Sequence, residues 1–216
     1  EFDFTTWNPK ITKAKSKQAI DALEGGFVIC LPNLPFVMSE NEKRFLSQQW
    51  SDQKSKNISL RPQGGLRGAQ GSDADLVALR AMIQRYADQS LQLVSALFPD
   101  YVPHLTTANT SFRPFEVDGR VSSYRKDDKR LHTDAFPSNP TQGTRLLRVF
   151  NNVNPHDRPR VWRVREPFED MANKFLPKAK SMLPGQAWLM HKLGITKRER
   201  TPYDQLMLQL QSLKAS

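Results

Sequence analysis

The sequence predicts an α+β fold in which a mainly helical stretch, 1–104, supports a β-rich stretch, 105–216, that ends again in helix. Three observations point there. Apolar residues recur at helical spacing as far as Leu97. From Leu105 onward, short β-prone runs alternate with turns rich in Pro, Gly, Asp and Asn. Helical patterning returns at Pro167–Leu176 and after Thr201. Successive short strands favour a sandwich or jelly roll over a parallel βαβ sheet. The 216 residues suit a single domain, 1–216, with a sizeable core.

Each element has a local reason. Thr12 caps a helix whose apolar side holds Ala19, Ile20 and Leu23, and Gly25-Gly26 stops it. Phe27–Leu31 reads as a short buried strand, with Cys30 as a small buried hydrophobe. Ser39 and Glu42 have the spacing of a capping box, opening a helix expected to reach about Trp50. Residues 59–71, with Pro62, Gly64, Gly65, Gly68 and Gly71, form a loop whose Arg61 and Arg67 read as solvated charges. It lacks the Lys-Ser/Thr ending of a phosphate-binding loop.

Ser72 and Asp73 then open the strongest helix, with Leu76, Leu79, Met82, Ile83, Tyr86, Leu93, Val94 and Leu97 as its buried stripe. Strands are expected within Leu105–Phe115, Arg130–Phe136, Arg145–Val153 and Arg160–Val164. In the last helix Thr201 is the cap, Pro202 takes the first helical position, and Leu206, Leu210 and Leu213 share a stripe. No closing pair of strands follows, so a jelly roll would be incomplete at its C-terminus.

Composition narrows the function classes. A single cysteine excludes a disulfide framework and a cysteine-based zinc site, and fits a reducing cytoplasm. No run is long and apolar enough to span a bilayer, and no secretory signal opens the chain. The net charge of +10 favours anionic partners such as nucleic acid, anionic lipid, or a phosphorylated or carboxylated substrate. The basic residues are dispersed, without an aromatic-basic RNA-binding pattern, so specific nucleic-acid recognition is not expected.

The informative segment is Arg130-Leu131-His132-Thr133-Asp134-Ala135-Phe136. In an extended strand, side chains two apart point to one face. His132 and Asp134 would then offer an imidazole and a carboxylate to a single metal. Two histidines and a carboxylate, with the opposite side open, are the ligand set of non-haem iron(II) oxygenases. Spacing alone also permits a strand-end histidine beside a surface aspartate.

Around this pair the sequence resembles the Kdo 3-hydroxylases. Kdo is 3-deoxy-D-manno-octulosonic acid, the acidic sugar that joins lipid A to the lipopolysaccharide core. The resemblance lies in Leu131–Ser138 (LHTDAFPS), Arg145–Pro155 (RLLRVFNNVNP), Pro159–Val164 (PRVWRV) and Glu166–Asp170 (EPFED), and it covers most of the chain. It implies a double-stranded β-helix (jelly roll) buttressed by the N-terminal helices, and an enzyme using Fe(II), 2-oxoglutarate and O2. Its substrate would be Kdo-lipid A, hydroxylated at carbon 3 to give Ko. His132 and Asp134 would be the catalytic metal ligands.

Residues near this motif are candidates for supporting roles, each with a plainer alternative: Tyr124 as a packed strand aromatic, Arg148 and Asn152 as a solvent-facing polar side, and the arginines as ordinary solvated charge. Tyr124, Arg148 and Asn152 are candidates for the oxoacid. Arg113, Arg125 and Arg130 are candidates for the Kdo carboxylate and the lipid A phosphates, which arginine pairs bidentately. A cytoplasmic protein in peripheral contact with the inner membrane follows from the substrate. The family also needs a second histidine and a basic anchor for 2-oxoglutarate, and neither can be placed here. His104 and His156 read as structural or exposed, and His191 as a weak substitute ligand. The sequence therefore carries two main expectations: the dioxygenase, or a truncated, inactive remnant that binds anions or glycolipid. A basic nucleic-acid-binding module is a distant third.

Overall fold

The computed structural model describes residues 2–55, 57–114, 135–156, 158–159, 161 and 168–213. The chain divides into two compact units: Glu1–Asp118 with Val149–Pro159, and Gly119–Arg148 with Arg160–Ser216.

The first unit is built on one long helix. Helix α1 (Lys13–Glu24) begins at Thr12, whose side chain accepts from the Lys15 amide, and ends at Gly25. Helix α2 (Glu40–Lys43) opens with the expected capping box between Ser39 and Glu42. Helix α3 (Asp73–Leu97) is capped by Ser72, and its 25 residues extend about 37 Å. That length lets it serve two hydrophobic clusters. Leu79, Met82 and Ile83 meet Phe45, Ile58 and Leu60. Leu93, Val94 and Leu97 meet Phe2, Phe4, Trp7, Ala19 and Leu34. The buried Ser16 hydroxyl of α1 donates to the Leu97 carbonyl at 2.8 Å. It thereby satisfies one of the terminal carbonyls that α3 cannot pair internally.

The sheet is small and antiparallel. Strands β1 (Ile58–Leu60), β2 (Leu66–Arg67) and β3 (Thr110–Phe112) lie in the order β2-β1-β3. Ile58 pairs with Phe112, and Leu60 pairs with both Thr110 and Leu66. Ile58 and Leu60, two apart, turn one face onto α3. The Gly-rich stretch expected as plain loop is thus largely a hairpin: Arg61 N bonds Gly65 O, and Gly64 N bonds Arg61 O. Arg61 and Arg67 are exposed, as expected. Gly68 has φ +82, and a Cβ there would lie 2.6 Å from the Asn57 carbonyl oxygen.

Three other expectations for this unit fail. Phe27–Leu31 is not a strand, and Phe27 and Val28 are 70% and 77% exposed. Only Ile29 and Leu31 turn inward, while Cys30 is exposed and its carbonyl accepts from the Phe2 amide. Side chains alternate along extended backbone, and here only one side of the run meets the core. Helix α2 ends at Lys43 rather than near Trp50, where only a short 3₁₀ turn, Gln48–Trp50, forms. The chain folds back so that Phe45 is fully buried, the Trp50 indole donates to the Arg44 carbonyl at 2.7 Å, and the Arg44 guanidinium covers both rings. Arg145–Val153 belongs to no described strand. The Val149 carbonyl instead accepts from the Tyr86 hydroxyl at 3.1 Å, and Asn151 Nδ2 donates to the Leu34 carbonyl. The expected segment Leu105–Phe115 yields β3, while most of the Arg130–Phe136 and Arg160–Val164 segments lies outside the described residues.

The second unit is helical where described. Helix α4 (Phe168–Phe175) contacts α6 (Pro202–Leu213), and Met171 and Leu210 are buried. Between them in sequence lies α5 (Gln186–Lys192), where the sequence predicts no helix. Its end carries a clear signal. Gly194, at φ +69, lets its own amide reach His191 O and the Ile195 amide reach Met190 O, both at 3.0 Å.

Candidate active site

His132 and Asp134 lie outside the described residues, as do Tyr124, Arg125 and Arg130. The description resumes at Ala135, the next residue after Asp134.

That flank is firmly held. Residues Ala135–Thr144 run as turns, with Gln142 in the left-handed region at φ 56. The Asp204 carboxylate, 6% exposed, anchors them. Its Oδ1 accepts from the Thr141 amide at 2.8 Å, the Gln142 amide at 3.0 Å and the Thr141 hydroxyl at 3.3 Å. Its Oδ2 accepts from the Thr201 amide at 2.9 Å and the Thr201 hydroxyl at 2.8 Å. Burial alone would raise this carboxyl, but hydrogen bonds from Thr201, Gln142 and Thr141 outweigh it and hold the group below the usual aspartate value. Further ties run from Arg200 Nη2 to the Pro137 carbonyl at 2.6 Å and from the Lys197 amide to the Ser138 carbonyl at 2.9 Å. Sequence reasoning found the Thr201 cap but missed Asp204. The available signal was Thr201-x-x-Asp204, the spacing of a capping box.

The described candidates occupy separate settings. Arg113 follows β3, half-buried, and its Nε donates to Asn57 Oδ1 at 3.0 Å. Arg148 is exposed. Asn152 shapes a turn: Nδ2 donates to the Arg158 carbonyl at 2.8 Å, and Oδ1 accepts from the Asn154 amide at 3.3 Å. Among the other histidines, His104 ends a 3₁₀ turn and is exposed, and the His156 amide donates to Asn154 Oδ1. His191 sits in the last turn of α5 with Nδ1 3.2 Å from the Thr196 carbonyl. Among the described residues no three His, Cys, Asp or Glu side chains gather as a metal site.

The comparisons with known proteins are specific. A family model for 3-deoxy-D-manno-oct-2-ulosonic acid (Kdo) hydroxylase matches residues 6–216. No curated protein matches the chain. Among solved structures it is similar to the Kdo hydroxylase KdoO, a non-heme Fe(II) alphaketoglutarate dependent dioxygenase, in complex with cobalt(II). That match has a TM-score of 0.94 and 43% identity, and covers 99% of this chain and 72% of the other. KdoO in complex with alphaketoglutarate and Fe(III) matches over the same shares at 42% identity, with a TM-score of 0.92. KdoO with succinate and Fe(III) matches at 43% identity, also at 0.92 and over the same shares. A family match over nearly the whole chain, joined to this structural likeness, makes the chain a member of the Kdo hydroxylase family.

Proposed function

We propose that this chain is an iron(II)/2-oxoglutarate-dependent dioxygenase that hydroxylates carbon 3 of Kdo on Kdo-lipid A, giving Ko. The observation that carries this reading is the family match over residues 6–216, which runs through His132-x-Asp134. In the overall reaction 2-oxoglutarate and O2 become succinate and CO2, while one C–H bond at carbon 3 becomes C–OH. Bound iron supplies the oxidising chemistry. A neutral imidazole and a carboxylate suit ferrous iron, so His132 and Asp134 are assigned to hold it. Tyr124, Arg148 and Asn152 are assigned to the oxoacid, whose carboxylates accept from phenol, guanidinium and amide donors. Arg113, Arg125 and Arg130 are assigned to the anionic groups of Kdo and lipid A.

The same reading makes the catalytic fold a jelly roll within a single domain, 1–216. The helices and the small antiparallel sheet, residues 1–104 above all, buttress it. Support for that fold is the structural likeness to the KdoO dioxygenases.

Contact with the membrane follows from a lipid-linked substrate. No described helix is long and apolar enough to cross a bilayer. Near α5, Leu183, Trp188 and Leu193 are 75%, 54% and 65% exposed. Lys178, Lys180, Lys192, Lys197 and Arg198 flank them in sequence and are exposed. Apolar residues among cations suit an anionic bilayer surface, so this stretch of the chain is assigned to peripheral contact at the inner membrane.

The test is turnover. The protein is supplied with Fe(II), 2-oxoglutarate, O2 and Kdo-lipid A, and succinate and the mass of the sugar are followed. The expected result is succinate formed in step with the gain of one oxygen on Kdo. Glycolipid binding without succinate would instead favour the non-catalytic alternative.

A further inference from the structure

We infer that the sheet face turned away from α3 is a binding surface for the phosphate groups of a glycolipid; this rests on the reading of the substrate as Kdo-lipid A. Alternation along the strands divides the sheet into two faces. Ile58, Leu60, Leu66 and Phe112 pack on the α3 side. Ser59, Arg67 and Ser111 therefore lie on the other side. The register sets these three in one row, because Ser59 pairs with Arg67 on β2 and with Ser111 on β3. The Ser59 and Ser111 hydroxyl oxygens are 3.4 Å apart, as a shared face requires. Beside this row the Arg113 guanidinium is held by its Nε bond to Asn57 Oδ1 at 3.0 Å. At the other end of β1, exposed Arg61 opens the turn to β2.

The charge along these strands has one sign. Residues 53–72 and 101–115 contain five lysines and arginines (Lys54, Lys56, Arg61, Arg67 and Arg113) and no aspartate or glutamate. Solvated protein surfaces ordinarily intersperse both signs, and like charges facing each other across a sheet are destabilising. Among the described residues, the side chains of Arg61 and Arg67 make no hydrogen bond and no ion pair. Guanidinium forks beside two serine hydroxyls match a group that carries negative charge on several acceptor oxygens. A phosphate monoester is such a group. Ser59 and Ser111 are small, so the row beside Arg67 stays low and open to a sugar phosphate. Nucleic acid also carries phosphate, but single strands are held in addition by stacking on aromatic rings. Phe112, the one aromatic residue in the three strands, packs on the α3 side instead.

Calorimetry tests this with Kdo-lipid A in neutral detergent micelles, beside the same glycolipid stripped of its phosphates by a phosphatase. Wild type is expected to bind the phosphorylated form about tenfold more tightly. The double variant Arg61→Gln, Arg67→Gln is expected to lose that preference. Lys13→Gln removes an exposed cation at the start of α1, outside the sheet, and is expected to keep it. Amide shifts in the NMR spectrum of the wild type give the location and do not depend on any variant folding. Those of Ser59, Arg67 and Ser111 are expected to move with the phosphorylated glycolipid and to stay in place with the stripped one. Equal binding of the two glycolipids by wild type would overturn the inference, and so would an equal loss in Lys13→Gln or shifts confined to residues outside the sheet. A single-stranded oligonucleotide that moves the same amides at lower concentration than the glycolipid would give the face to nucleic acid and overturn it as well. None of these readouts needs turnover. Phosphate-dependent binding at the sheet without hydroxylation would defeat the proposed reaction and leave the inference standing, whereas hydroxylation with phosphate-independent binding would do the reverse.

Discussion

The Arg85 guanidinium reaches Glu42 Oε2 at 2.7 Å, and the same oxygen accepts from the Ser39 amide at 2.8 Å. One carboxylate oxygen thus closes the capping box of α2 and fastens α2 to α3. Arg85 also donates to the Val37 carbonyl at 2.8 Å and lies over the Phe36 ring. Arg85→Ala should destabilise the protein by about 1 kcal/mol, read as a lower urea midpoint with an unchanged slope.

The same pair sets a pH dependence. Burial acts to raise the Glu42 carboxyl, but hydrogen bonds from Ser39 and Arg85 and the Arg85 charge outweigh it and hold it below the usual value. A carboxyl depressed on folding adds stability above its unfolded pKa, near ~4.3. That contribution disappears as pH falls through the lower folded value. Urea midpoints for wild type and Arg85→Ala should therefore differ at neutral pH and converge in acid. A constant gap down to strong acid would show that the ion pair is not its source.

Gly68→Ala should destabilise by about 1–3 kcal/mol, because the left-handed φ and the close Asn57 carbonyl both oppose a Cβ. Thermal unfolding checks it. Gly65→Ala, where nothing lies within 4 Å of an added Cβ and φ is not positive, is the matched control and should lose far less.

His132→Ala and Asp134→Ala should each reduce succinate formation to background and sharply weaken Co(II) binding, with the melting temperature of the metal-free protein little changed. Retained turnover in either would remove that residue from the iron site.

Vesicles of anionic lipid should sediment the protein at low salt and release much of it at high salt, as charge attraction requires. The double variant Trp188→Ala, Leu193→Ala should bind less at both salt concentrations. Binding insensitive to salt and to both substitutions would leave α5 without a role at the membrane.

Helix signals were the most legible part of the sequence. The cap at Thr12, the box at Ser39 and Glu42, and the start at Ser72 all stand where local chemistry puts them. Those signals work within four residues, so they survive whatever the rest of the chain does. The errors came where tertiary contacts decide. Phe45 inserting into the core ended α2 early, and the hairpin of β1 and β2 needed α3 as a floor. Phe27–Leu31 had the composition of a strand but pairs with no strand among the described residues. At the site, the His132-x-Asp134 motif stands out in the sequence because its two candidate ligands are two residues apart, and both lie outside the described residues. The capping-box spacing of Asp204 was visible too, but its bond to Thr141 was not, because the two are 63 residues apart along the chain.

Helix α3 also has a consequence for how the first unit comes apart. Its two apolar clusters share a single rod, so loosening either end strips support from the other through the continuous ladder of backbone bonds. The two halves should melt as one cooperative block, with the slowest-exchanging amides between Leu79 and Val94.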